Sequence, residues 1–315
     1  MGKLKEFSGY AGWWIRARFN HDRPMVTTMI THLGCNLRCK HCNIIHDIES
    51  GRVPNVSLSY DAICRDQELR YKQGARLAYF EGGEPTIWHD GDHNLADVIN
   101  YAKKIGYLNT GYTTNGTGRI FTESSTISVS LDGPREIHDR IRQEGVFDKL
   151  MENLKKLEDY DGSVFANMVI QKDNWHYLRE VAEIVRDNPS IDGIVFNFLT
   201  PPPTEPGLNH EERVEAVETL KKLKEEGFPV LNSKKGLELL KEEDWSEKCP
   251  YGMTAFTTPT GEHINGCPMR VNEGACQHCG FAAVREYYLV NKGSPSTIME
   301  LAPTFAMTGK NKKKQ

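Results

Sequence analysis

Short apolar runs bounded by glycine or proline alternate along this chain with longer stretches whose apolar residues return every three or four positions. The runs fall near residues 26–31 (VTTMIT), 77–80, 107–113, 126–130, 165–170 and 194–198. Between them lie LSYDAICRDQELRYKQG, stopped by Gly74, then HNLADVINYAKKI and VFDKLMENLKKLEDY. YLREVAEIVRDN and EERVEAVETLKKLKEEG, closed by Gly227, complete the helical series. Six strand-then-helix units predict right-handed crossovers and a parallel sheet. Six fall short of the eight that close a full barrel. The expected fold is therefore α/β: a partial, open (β/α)6 barrel of parallel strands over residues 25–230. An N-terminal aromatic and basic extension (1–24) precedes it, and a small cysteine-rich C-terminal appendage (231–315) follows. Within that appendage CPYGMTAF and TPTGEHINGCP read as a hairpin, and the lysine-rich end GKNKKKQ reads as a solvated, disordered tail.

Composition changes this picture little. A 38% hydrophobic and 26% charged chain is an ordinary globular one, and a net charge of −4 gives no reason to expect a nucleic-acid partner. No apolar run reaches membrane-spanning length, and MGKLKEF lacks the apolar core of a signal peptide, so a cytoplasmic location is expected. Residues 3–19 set Phe7, Tyr10, Trp13 and Trp14 among Lys3, Lys5, Arg16 and Arg18. As an interfacial helix this stretch would make a weak membrane-surface contact. Gly9 and Gly12 weaken such a helix, so the preferred reading has these aromatics covering the bottom of the barrel.

The eight cysteines carry the chemistry. Cys35, Cys39 and Cys42 form one group, Cys249, Cys267, Cys276 and Cys279 a second, and Cys64 stands alone in a helical pattern, where a small buried hydrophobe is expected. A disulfide scaffold would be a short secreted chain, so the clusters read as metal ligands, with thiolates suited to zinc or iron–sulfur chemistry. In parallel α/β folds the site lies in the loops after the strands. Those loops hold the three cysteines, then Glu81-Gly82-Gly83-Glu84-Pro85, Thr113-Thr114-Asn115-Gly116 and Ser130-Leu131-Asp132-Gly133. All four open on one face. Four cysteines saturate an iron–sulfur cluster, whereas three leave one iron open.

A C-x3-C-x2-C loop after a first strand and GGEP after a second resemble the radical S-adenosylmethionine superfamily, in motif order over residues 25–280. The resemblance implies a [4Fe–4S] cluster on Cys35, Cys39 and Cys42 whose open iron chelates S-adenosylmethionine. Reduction then yields a 5′-deoxyadenosyl radical that acts on an organic substrate. It implies that Gly82, Gly83 and Glu84 receive the methionine ammonium, with Pro85 fixing the turn. Ser130 corresponds to a ribose contact, and Arg140 or Arg142 to the carboxylate partner. Asn115 and Asn167 sit at equivalent strand ends, where capping explains them equally well. His41 would pack near adenine. An external one-electron reductant of the ferredoxin or flavodoxin type is the implied partner.

The second cysteine group fits structural zinc or a fully ligated cluster, and spacing alone does not separate them. The resemblance favours a second [4Fe–4S] cluster in a shortened auxiliary-cluster (SPASM/twitch-like) segment, with His263 and His278 beside the ligands rather than among them. SLDGPREIHDRIRQEGVFDKLMENLKKL is shared in style by two branches. The C-terminal arrangement looks closer to adenosylhopene synthase-like proteins, with a lipid or isoprenoid substrate. The alternative is a peptide- or protein-modifying enzyme, against which stands the short stretch before residue 25. Whether S-adenosylmethionine serves as adenosyl donor or hydrogen abstractor stays open, as does a non-catalytic zinc module. No G-x-S-x-G or H-E-x-x-H pattern suggests a hydrolase.

Overall fold

The computed structural model describes residues 23–200, 207–267, 269 and 274–306, together with Gly12. The N-terminal aromatic stretch and the lysine-rich tail therefore lie outside the described residues.

Six parallel strands form the frame: β1 (Val26–His32), β2 (Leu77–Gly82), then, after a two-strand flap of β3 (His89–Asp90) and β4 (His93–Asn94), β5 (Asn109–Thr114), β6 (Thr126–Ser130), β7 (Ser163–Ile170) and β8 (Gly193–Phe198). The helices alternate with them as the periodicity predicts. α1 (Asn43–Glu49) and α2 (Tyr60–Gln73) follow β1, and α3 (Leu95–Ile105) follows the flap. α4 (Arg135–Arg142) and α5 (Val146–Lys155) follow β6, α6 (Leu178–Asp187) follows β7, and α7 (His210–Glu225) follows β8. Local chemistry fixes the helix ends. Ser59 caps α2, Asn94 and Asp97 make a capping box on α3, and Asn209 and Glu212 make one on α7.

The core lies between sheet and helices. Phe80, Tyr112, Ile127, Val129, Val164, Ala166, Met168, Ile194 and Phe196 are fully buried against Ile63, Leu95, Ile99, Leu150, Val181 and Leu220 of the helices. The alternate residues Tyr79, Glu81, Thr113, Asn167, Val169, Val195 and Asn197 are half-buried and line the concave inner face. That face is mostly polar.

The expected separate appendage is instead partly built into the sheet. After α8 (Lys234–Leu239), β9 (Thr254–Thr257) pairs in parallel with β1, and β10 (His263–Asn265) pairs antiparallel with β9, giving the order β10-β9-β1-β2-β5-β6-β7-β8. An unclosed barrel leaves the outer edge of β1 with unpaired backbone groups, and the hairpin satisfies them. It is clamped to α2. Buried Asp66 receives the Thr257 hydroxyl at 2.8 Å and lies 2.8 Å from His263 Nε2, while Arg70 donates to the Phe256 carbonyl at 2.9 Å. The chain then reaches the opposite edge, where Phe198 N–H donates to the Gly280 carbonyl before α9 (Ala282–Asn291) and α10 (Pro295–Ala306). The segment after residue 230 thus touches both edges of the open sheet.

Candidate functional site

The site starts from a slip in register. β1 and β2 pair in step from Val26 to Ile30, then lose one residue so that His32 faces Gly82. This brings the β1 end against the Gly82–Pro85 turn: Gly83 N–H donates to the His32 carbonyl, Glu84 N–H to the Gly34 carbonyl, and His32 Nε2 lies 2.8 Å from the Glu84 carbonyl. A Cβ on Gly82 would sit 2.2 Å from the His32 oxygen, and one on Gly83 would sit 2.1 Å from the Gly34 oxygen. The two glycines are required by this backbone crossing.

Glu84 is only 1% exposed. Its Oε1 accepts from Thr86 N–H, the Thr86 hydroxyl and the Thr114 hydroxyl, and its Oε2 accepts from Asn115 N–H at 2.7 Å. The carboxylate, which the motif assigns to the methionine ammonium, braces the β2 turn against the end of β5. Pro85 opens a buried single turn behind it.

Asn115 extends the brace to the cysteines. Its Nδ2 donates to Asn36 Oδ1 at 2.9 Å and lies 4.0 Å from Cys35 Sγ. Cys42 N–H donates to the Cys39 carbonyl, and Leu37 N–H lies 3.4 Å from Cys35 Sγ. Cys35, Cys39 and Cys42 pack together around Leu37 and Val146. Burial pushes Cys39 up to about 11, with Arg142 opposing, and burial raises Cys35 too. A metal bound there must expel protons.

Arg142, at the end of α4, is buried. Its Nε donates to Asp132 Oδ2 at 2.6 Å and its Nη1 lies 3.9 Å from Cys39 Sγ. Asp132, fully buried, also accepts Val169 N–H, and Asp132 N–H donates to His138 Nδ1 at 3.1 Å. Burial alone would raise the Asp132 carboxyl, but Arg142, His41, His138 and the Val169 N–H hold it below the usual carboxylate range. Burial and Arg142 push His138 down to about 4. His41 lies in this group with its Nδ1 buried and unpartnered. Ser130 is buried at the β6 end in register with Asn167, whereas Arg140 is exposed. Sequence reasoning placed Asp132 in the loop after β6 without a role and missed His138, because the contact of α4 with that loop has no local pattern to mark it.

The second cysteine group gathers across the open side of the barrel. Trp245 N–H donates to the Cys276 carbonyl and Cys249 N–H to the Trp245 carbonyl. Cys267 feels the charges of Cys279 and Cys276, and burial pushes it up to about 11. Two buried arginines attend Cys279: Arg285 Nη1 lies 3.0 Å from its Sγ, and both Arg285 and Arg213 donate to its carbonyl. Nε of Arg285 has no partner. Cationic donors around buried thiols suit an anionic metal–thiolate centre, so the donor set fits such a group. Among the described residues, no three His, Cys, Asp or Glu side chains close to the spacing of a single ion. Thiolates sharing a four-iron cluster stand farther apart, each on its own iron. Cys64 is buried in α2, and His263 and His278 face Asp66 and Glu243.

A cleft of about 500 Å³ lined by Lys103, Ser124, Ser125, Tyr160 and Asp161 lies at the opposite, N-terminal ends of β5 to β7. It is remote from the cysteines.

An open parallel barrel with thiols at the C-terminal mouth of β1 defines a cofactor-dependent α/β scaffold. Residues 29–185 match the model of the Radical SAM superfamily, and the chain carries a domain of that superfamily. A cysteine-type anaerobic sulfatase-maturating enzyme of Clostridium novyi (strain NT) is 30% identical over 167 residues, 47% of this chain and 44% of that one. An Fe-coproporphyrin III synthase of Methanosarcina barkeri (strain Fusaro / DSM 804) is 28% identical over 232 residues, 68% of this chain and 56% of that one. The chain spans about half the length of these curated relatives. Among solved structures, Streptococcus suis SuiB bound to S-adenosylmethionine matches with a TM-score of 0.62 at 13% identity, covering 91% of this chain and 70% of that chain. The structure of native anSMEcpe with bound AdoMet and Kp18Cys peptide gives 0.60 at 14% identity, covering 88% of this chain and 82% of that chain. At these identities the likeness is one of fold. Among the described residues no helix is long and apolar enough to cross a membrane.

Proposed function

We propose that this chain is a radical S-adenosylmethionine enzyme that modifies a peptide or protein substrate. The observation that carries the reading is the gathering of Cys35, Cys39 and Cys42 beside the Gly82–Pro85 turn, at the mouth of the parallel sheet. These thiols would hold a [4Fe–4S] cluster with one open iron, which would supply the one electron that splits S-adenosylmethionine into methionine and a 5′-deoxyadenosyl radical. The Gly82–Glu84 turn would receive the methionine ammonium, through its backbone carbonyls and the remaining acceptor position of the Glu84 carboxylate. Arg142 anchors the far side of the loop and keeps Nη2 for a carboxylate. Ser130 stands at the ribose position. Cys249, Cys267, Cys276 and Cys279 would hold a second, fully ligated [4Fe–4S] cluster, making residues 231–315 an auxiliary-cluster segment. A ferredoxin- or flavodoxin-type donor would supply the electron.

A peptide is preferred to a lipid on two grounds. The inner face presents Tyr79, Glu81, Thr113, Asn167 and Asn197; Thr113 pairs with Tyr79 and Asn197 with Asn167, but an isoprenoid would still strip water from their remaining polar sites. Two proteins of similar fold, SuiB bound to precursor peptide SuiA and anSMEcpe bound to Kp18Cys peptide, point the same way.

The test is anaerobic incubation of reconstituted protein with S-adenosylmethionine, dithionite and cell extract, read by mass spectrometry. Free 5′-deoxyadenosine is expected, lost in Cys39→Ala. An adenosine-sized gain on a product would indicate adenosyl transfer instead. Undiminished 5′-deoxyadenosine from Cys39→Ala would refute the assignment of this loop.

A further inference from the structure

Two arginines from different helices converge on Cys279. Arg285, on α9, is fully buried, and Arg213, on α7, is nearly so. Arg285 donates from Nη1 to Cys279 Sγ at 3.0 Å and to the Phe281 carbonyl, and from Nη2 to the Cys279 and Glu242 carbonyls. Arg213 donates from Nη2 to the Cys279 carbonyl at 2.8 Å and from Nε to the Leu240 carbonyl. Aromatic rings fix both planes: the Arg285 guanidinium lies 4.4 Å from the Trp245 ring centroid, and that of Arg213 lies 4.6 Å from the Phe198 centroid. Every acceptor in this set is a neutral carbonyl except the sulfur. Among the described residues neither arginine forms an ion pair with a carboxylate. The adjacent acids are engaged elsewhere, Glu242 by Lys248 and Glu243 by His210 and His278. The first cysteine group differs, because Asp132 already neutralises its buried cation, Arg142.

Two desolvated cations are costly unless negative charge stands beside them. Here the one group able to carry that charge is the metal–thiolate centre at Cys279. We infer that Arg285 and Arg213 set the reduction potential of this second centre, holding it above the value that four thiolates alone would give. This rests on the auxiliary-cluster reading above and deepens it. Reduction adds one electron from an external donor and makes the centre one unit more negative. Fixed positive charge and an N–H donor on a ligand sulfur both favour that state, and the potential of an iron–sulfur cluster follows its net charge, hydrogen bonds to sulfur and solvent exposure. Arg285 supplies charge and sulfur donor together. Arg213 supplies charge alone, since its donors end on carbonyls, so its effect is the smaller. Both act through Cys279, as positioning residues.

A redox titration of the reconstituted full chain carrying Cys35→Ala, Cys39→Ala and Cys42→Ala, in which only the second centre holds iron, tests this. Dithionite supplies the electron, and electron paramagnetic resonance reads the reduced cluster. At the midpoint of that parent, Arg285→Met should lower the ratio of reduced to oxidised centre about tenfold, a shift of about 59 mV to lower potential for one electron. Arg213→Met should shift it the same way by less, and Arg285→Lys, which keeps the charge, should recover part of the loss. Iron content and circular dichroism confirm that each variant is loaded and folded. A loaded Arg285→Met with the parent's potential overturns the inference. If Arg285→Met does not hold iron, Arg213→Met decides the matter, and an unchanged potential there overturns it equally. Failure of the auxiliary-cluster reading shows separately, as zinc in place of iron in the parent before either arginine is changed.

Discussion

Arg142 sets its Nε 2.6 Å from Oδ2 of Asp132 and its Nη1 3.9 Å from Sγ of Cys39, so one buried guanidinium joins the end of β6 to the cysteine loop. The pair is desolvated on both sides, and removing one partner leaves a buried charge without compensation. Arg142→Met should therefore destabilise the metal-free protein by roughly 3–5 kcal/mol in urea unfolding. The double variant Arg142→Met/Asp132→Leu should recover much of that loss. A single-variant cost below about 1 kcal/mol would mean the pair behaves as a solvated one.

Glu84 offers a second case, in which position adds a role to the one that the motif assigns. Its oxygens accept four N–H or O–H donors from Thr86, Thr114 and Asn115. Glu84→Gln would turn an amide N–H₂ toward some of these donors, at a cost of about 1–3 kcal/mol for each group left unsatisfied. The loss should appear in the melting temperature without any cofactor. A variant of unchanged stability that loses only S-adenosylmethionine affinity would leave the carboxylate to the cofactor site alone.

These two residues show what a sequence can carry. The six parallel strands and the convergence of their loops were legible, because period-2 and period-3.6 patterns report which face of each element is buried. The cysteine groups were legible from spacing. What was not legible depended on chain crossings that no local pattern encodes. Glu84 is engaged by Thr114, thirty residues on, and Asp132 by Val169, thirty-seven on. β9 pairs with β1 across more than two hundred residues, so its four residues read only as half of a local hairpin. Glu81 stood in plain view beside the glycines. Only the alternation of burial along β2 shows that it faces inward.

The Asp132 N–H sets the protonation state of His138. It donates to Nδ1, which must therefore be an unprotonated acceptor, and the ring is fully buried with its pKa pushed down to about 4. The unfolded chain, with histidine near 6.5, binds a proton that the folded chain refuses. The contribution is fully present above pH 6.5 and is lost as pH falls toward 4, amounting to about 3 kcal/mol. Urea midpoints measured across this window should fall steeply, and His138→Gln should flatten the slope. Parallel slopes in the two proteins would remove His138 from the acid limb.

The second cysteine group separates two metal chemistries by iron count. With a [4Fe–4S] cluster on Cys249, Cys267, Cys276 and Cys279 and another on Cys35, Cys39 and Cys42, the reconstituted chain should carry about eight irons. Replacing Cys35, Cys39 and Cys42 together by alanine should leave about four irons and a brown protein, whose spectrum S-adenosylmethionine does not perturb, because four cysteines leave no open iron. Cys276→Ala/Cys279→Ala should spare the first cluster but loosen the segment around it. Buried Arg285 there holds the Cys279 thiol, the Cys279 carbonyl and the Glu242 carbonyl together, and losing the anionic centre would leave its charge uncompensated. Limited proteolysis should then cut between residues 240 and 280 faster than in the parent. Stoichiometric zinc and no iron in the triple-alanine variant, after anaerobic purification, would instead make the segment a structural zinc clip. The arginines beside Cys279 would then serve to hold its thiolate for that ion.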